Sequence, residues 1–66
     1  MIKYFIAYYA PTRAFCYDLK QNSFIPYYPT TNRTLYDYKT ALHVLKRARK
    51  QNHALREYIH LDCMTV

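Results

Sequence analysis

Residues 34–50 read TLYDYKTALHVLKRARK. Leu35, Tyr38, Ala41, Leu42, Leu45 and Ala48 recur at intervals of three and four, which places them on one side of a helix. Thr34 is positioned to cap the helix N-terminus, with Asp37 three residues on to favour the positive end of the dipole. Lys46, Arg47, Arg49 and Lys50 crowd the other end, where cations are favoured. Residues 51–53 (QNH) end the helix. Asn52 takes the place usually held by glycine, because the chain contains none.

The flanks of this helix change period. On the N-terminal side, residues 2–9 (IKYFIAYY) and 14–19 (AFCYDL) are rich in aromatic and β-branched residues and predict two strands. Pro11 presets a turn between them, and a short turn between two strands predicts an antiparallel hairpin. A second turn follows at residues 20–23 (KQNS), with Asn22 as its left-handed residue. Residues 24–28 predict a brief third strand. Pro26 cannot donate to a ladder, so this strand belongs at an edge. Residues 29–33 read as a polar connection. On the C-terminal side, residues 57–65 alternate: Ile59, Leu61 and Cys63 face one way, and Tyr58, His60, Asp62 and Met64 the other. The expected fold is α+β, a small antiparallel sheet of three to four strands packed on one helix in the order β-β-(β)-α-β. Residues 1–66 form a single domain.

Composition narrows the functional classes. The absence of glycine removes the phosphate-cradling loops of nucleotide-binding folds. Ten Lys and Arg against four acids give a formal charge of +6, which suits nucleic acid or an acidic protein surface as partner. Residues 1–10 lack the charged leader and cleavage site of a signal peptide. No apolar run approaches the roughly 20 residues of a membrane span. A cytoplasmic setting without membrane association is therefore expected. Cys16 and Cys63 are too few for a disulfide framework and are expected as buried free thiols.

Two surfaces could carry function. At about 100° per residue, Lys39, His43, Lys46 and Lys50 share one stripe of the helix, with Tyr36 and Arg47 at its edge. Arg33 precedes the helix and Arg56 follows it. Such a row can neutralise several phosphates, and Tyr36 could add stacking to a base. A merely solvated helix face would normally carry acids one turn from its lysines, and here Asp37 alone interrupts the charge. The second surface is the face of the sheet opposite the helix. Ile2, Tyr4, Ile6 and Tyr8 oppose Phe5, Ala7 and Tyr9 in the first strand, so both faces are apolar, and one helix covers only one. An exposed aromatic patch is expected there, with Tyr58 and His60 contributing from the last strand.

Catalytic and metal chemistry find little support in the spacing. His60 and Cys63 fall on opposite sides of a strand, which separates them both as metal ligands and as a nucleophile–base pair. No catalytic residue, metal site or cofactor is expected. The leading expectation is a small basic, non-enzymatic binding protein. It would engage nucleic acid or a nucleoprotein complex through Tyr36, Lys39, His43, Lys46, Arg47 and Lys50. The alternative is a protein–protein inhibitor of phage type, docking on an acidic host protein through aromatic sheet surface (Tyr58, His60) or an exposed strand edge. In size and element order alone the chain resembles small phage-encoded proteins, some of which inhibit host defence complexes in the manner of anti-CRISPR proteins. A third reading is a ribonuclease-like toxin using His43 or His60. A homodimer through the aromatic face would also relieve a core this small.

Overall fold

The computed structural model describes residues 1–27 and 34–66. The expected connection over residues 29–33, including Arg33, lies outside the described residues, as does Tyr28. Strands β1 (Ile2–Ala10), β2 (Arg13–Asp18) and β3 (Ser23–Tyr27) are followed by helix α1 (Tyr38–Gln51), a short 3-10 helix (His53–Tyr58) and strand β4 (Ile59–Thr65). The four strands form one antiparallel sheet in the order β3-β2-β1-β4, packed against α1. The expected α+β class and element order therefore hold, with the parenthetical third strand present.

Position in the sheet explains the composition of each strand. β1 and β2 are the inner strands, so both of their faces are buried and both carry apolar residues. Pro11 and Thr12 turn the chain between the paired residues Ala10 and Arg13. Asn22 adopts a left-handed φ of 55° in the second turn, as expected for a chain without glycine. β3 lies at the edge. Ser23, Ile25 and Tyr27 pair with Asp18, Cys16 and Ala14, and the alternation of the ladder turns Pro26 outward. Its missing N–H therefore blunts an exposed edge.

On the helix side of the sheet, Ile6, Tyr17 and Ile59 pack against Ala41, Val44 and Ala48, all buried. The two alanines allow close approach of helix and sheet. Val44 shares their face, whereas Tyr38 and Leu42, placed by period alone in the apolar stripe, are 53% and 42% exposed. Arg49 fixes the helix to β4 by donating from Nε and Nη2 to the Ile59 carbonyl, at 3.0 and 2.8 Å.

The helix begins later than the sequence suggests. Asp37, and not Thr34, is the N-cap, accepting from the Thr40 N–H at 2.7 Å. The Thr34 hydroxyl donates instead to Asp18, whose carboxylate is buried. Tyr36 is held in an extended bridge: its N–H and carbonyl exchange hydrogen bonds with Tyr4 at 2.8 and 2.9 Å. It thus takes a place beside β1 where the β1–β2 ladder has ended. Asn52 ends the helix as expected, but with φ −123°, its N–H and side-chain amide both reaching the Ala48 carbonyl. The 3-10 helix that follows shortens the last strand at its start, so Tyr58 precedes β4.

Asp37 yields a stability prediction. Its hydrogen bonds to Thr40 hold its carboxyl below the ordinary value of 3.8, with Lys3 and Lys39 acting in the same direction. Because the folded pKa is lowered, the cap's stabilisation is complete above the unfolded pKa and is lost as pH falls through the folded one. Asp37→Ala should lower the melting temperature at neutral pH by roughly a few degrees and flatten its dependence on pH below about 4, as read by circular dichroism.

Candidate functional site

The helix face opposite Ala41, Val44 and Ala48 carries Lys39, His43, Lys46 and Lys50, all exposed, as the period requires. Five of the fourteen residues of α1 are Lys or Arg and none is acidic. Most acids elsewhere are already engaged. Asp18 is buried and accepts from Thr34. Asp37 caps the helix. Asp62 accepts from the Tyr9 hydroxyl at 2.6 Å and from the Cys63 N–H at 2.9 Å.

α1 lies chiefly over β1 and β4, which leaves room on its other flank, above the turn that joins β2 to β3. A groove of about 740 Å³ runs there, lined by His43, Lys46, Arg47 and Lys50 with Leu19, Thr40, Val44 and Gln51. Its cationic wall is braced at one point. Arg47 Nε donates to Asn22 Oδ1 at 3.0 Å, and Gln51 Nε2 donates to the same oxygen at 3.1 Å. The buried Tyr17 anchors the junction from below, donating to Gln51 Oε1 at 2.5 Å with Asn22 Oδ1 2.9 Å away. The Arg47 guanidinium is therefore oriented at the groove wall by a bond through Nε.

Several site residues are placed differently from expectation. Tyr36 is not on the helix. Its ring packs against the helix-side core, and its hydroxyl is buried without a well-formed hydrogen bond. Burial pushes that phenol's pKa up. The ring is therefore unavailable to stack on a base at the basic face. Lys39 lies on the stripe but outside the groove.

The sheet face opposite α1 is not the open aromatic patch expected. Phe5, Ala7, Cys16 and Tyr27 are only 0–8% exposed and form a second small core with Ala14, Ile25, Leu35 and Met64. What stays accessible is its rim. Tyr9, 45% exposed, stacks on His60 with ring centroids 5.4 Å apart. Tyr27 donates to the Tyr9 oxygen at 3.1 Å, and Tyr9 donates to Asp62. Burial, followed by these two hydrogen bonds, drives the Tyr9 pKa well above its ordinary value, so the phenol keeps its proton and serves as a fixed donor. Tyr58 is 59% exposed and borders a separate hollow with Tyr8, Tyr9, Pro11 and Leu55.

His43 on the outer face of α1 and His60 on the far side of the sheet are separated by the core, so the two do not form an acid–base pair. His53 is engaged by Arg56 Nη1 at 2.9 Å. Cys16 is buried as expected, but Cys63 is exposed, and the two thiols sit on opposite faces of the sheet. Among the described residues, no three of His, Cys, Asp and Glu gather as a metal site would require, and no helix is long and apolar enough to cross a membrane.

The periodicity in the sequence found the cations but missed Leu19, Thr40, Val44 and Gln51, which complete the groove. Leu19 read as part of a strand, yet β2 ends at Asp18 and leaves it 42% exposed. Its pairing with a left-handed Asn22 in one turn was the available signal. No protein-family model, no curated protein and no solved structure matches this chain.

Proposed function

We propose that this protein binds nucleic acid, free or within a nucleoprotein complex, through the outward face of α1, and does so without catalysis. The observation that carries this reading is the concentration of uncompensated positive charge: Lys39, Lys46, Arg47 and Lys50 on a helix without an acid, alongside a groove whose lining has none either. A nucleic-acid backbone offers several phosphates to such a row, and their neutralisation releases counterions. A cytoplasmic setting accords with this reading, since Cys63 is an exposed thiol.

The experiment is a binding titration of a labelled oligonucleotide at several salt concentrations. Four cations in contact with phosphates predict a slope of log K against log salt of about −3 on a single strand and about −4 on a duplex. A flat salt response, or no binding at low salt, is the contrary result.

A second reading, docking on a protein or on another copy of this chain, is favoured by the outer edge of β4. The alternation of the ladder turns the backbone groups of Leu61, Cys63 and Thr65 outward. Arg49 covers the Ile59 carbonyl and Asp62 covers the Cys63 N–H, but among the described residues nothing comparable covers Leu61 or Thr65. Complexes made by adding a strand there would tolerate salt and would be blocked by Leu61→Pro.

A further inference from the structure

Beside the basic groove lies a second one of about 520 Å³, between the C-terminal end of α1 and the uncovered part of the helix-side sheet face. Tyr8, Phe15 and Phe24 form its floor, with Ser23, Gln51 and Asn52 at its rim. The rings are held by one another: Tyr8 lies 5.6 Å from Phe15 and 6.1 Å from Phe24, and Phe24 stands edge-on to the buried Tyr17 at 5.3 Å. All three floor residues are half-buried, so each retains accessible ring surface. Phe15 belongs to neither core cluster.

The two grooves meet. Gln51 lines both, and the hydrogen-bonded junction of Arg47, Asn22, Gln51 and Tyr17 stands between them. On one side are cations, on the other aromatic rings bordered by the Ser23 hydroxyl and the amides of Asn22, Gln51 and Asn52, and neither lining contains an acid. This is the division of labour that a nucleotide strand requires: charge for the backbone and ring surface for the base.

We infer that the aromatic groove receives an unpaired nucleobase, so that the preferred ligand is single-stranded nucleic acid and not a duplex. The inference rests on the basic-face reading and narrows it. A duplex keeps its bases stacked and offers α1 only phosphates. A single strand can place a base against Phe15, Phe24 and Tyr8 while its neighbouring phosphates lie against Lys46, Arg47 and Lys50. Phe15 is the residue whose loss best separates base contact from folding, because it is a member of neither core and touches the helix-side one through Tyr8.

The test compares three probes of equal length by fluorescence anisotropy: an oligothymidylate strand, a strand of abasic sites, and a duplex. The wild-type protein should bind the oligothymidylate about tenfold or more tightly than the abasic strand, the scale of one stacked base, and more tightly than the duplex. Phe15→Ala should reduce the first ratio to near one while keeping abasic-strand affinity. Phe15→Leu keeps apolar volume without the ring and should behave alike, which separates lost stacking from lost packing. Equal binding of base-bearing and abasic strands, preference for the duplex, or an unchanged ratio in both Phe15 variants would overturn the inference while leaving the basic face intact. Failure of the wild type to bind any probe would overturn both.

Discussion

Lys46→Glu combined with Lys50→Glu should reduce nucleic-acid affinity by on the order of 100-fold at moderate salt, and should do so without unfolding the protein. Both side chains are exposed and point away from Ala41, Val44 and Ala48, so the core loses nothing. The double reversal removes two of the four cations assigned to phosphates and puts repulsion in their place. The two glutamates would also sit one turn apart near the C-terminal end of α1, where the dipole disfavours them, so a modest loss of helix stability is expected. Circular dichroism should therefore show a folded protein with a slightly lower melting temperature, while gel-shift or anisotropy assays show lost binding. A control that reverses Lys3 should change affinity far less.

The largest expected effect on folding comes from Ile6→Ala. Ile6 is wholly buried on the inner strand β1, against Tyr17, Ile59 and the helix face. Truncations of this kind cost about 2–5 kcal/mol, because the vacated space closes only partly. A chain of this length has a total stability of roughly 3–10 kcal/mol. The variant should be substantially unfolded in mild urea, where the wild type is folded. By contrast, Phe15→Ala, at a position in neither core, should shift the urea midpoint much less. If the two variants were equally stable, the description of the helix-side core would be wrong.

The fold was legible because each element carries its own period. Spacings of three and four over residues 41–48 mark α1, alternation over residues 59–65 marks β4, and Pro26 marks an edge. Ends were less legible, because caps compete. Thr34 and Asp37 are both good N-caps. What decides between them is tertiary: the bridge from Tyr36 to Tyr4 and the bond from Thr34 to Asp18 hold residues 34–36 extended. The same contacts remove Tyr36 from the basic face, a displacement no local pattern announces.

The candidate site divides in the same way. The cations of α1 were legible because an exposed helix face follows directly from its buried one. An open aromatic patch is expected on the sheet face opposite α1, but most of that face is buried. One helix is too narrow to cover a whole face of four strands. α1 sits over β1 and β4, so Phe15 and Phe24 remain accessible on its own side. Meanwhile Leu35 and Met64 join Phe5, Ala7, Cys16 and Tyr27 in a second core on the other. Lateral placement of a helix across a sheet depends on side-chain volume at Ala41, Val44 and Ala48, which periodicity does not report.

Where the ligand touches the protein is measured most directly by titrating an unlabelled oligonucleotide into 15N-labelled protein and following the amide resonances. The largest shifts should fall on Lys39, His43, Lys46, Arg47 and Lys50 and on the adjoining turn at Leu19 and Asn22, and should fade as salt is raised. Shifts confined to Tyr9, His60 and the outer edge of β4, or no shifts at low salt, would contradict a binding surface on α1.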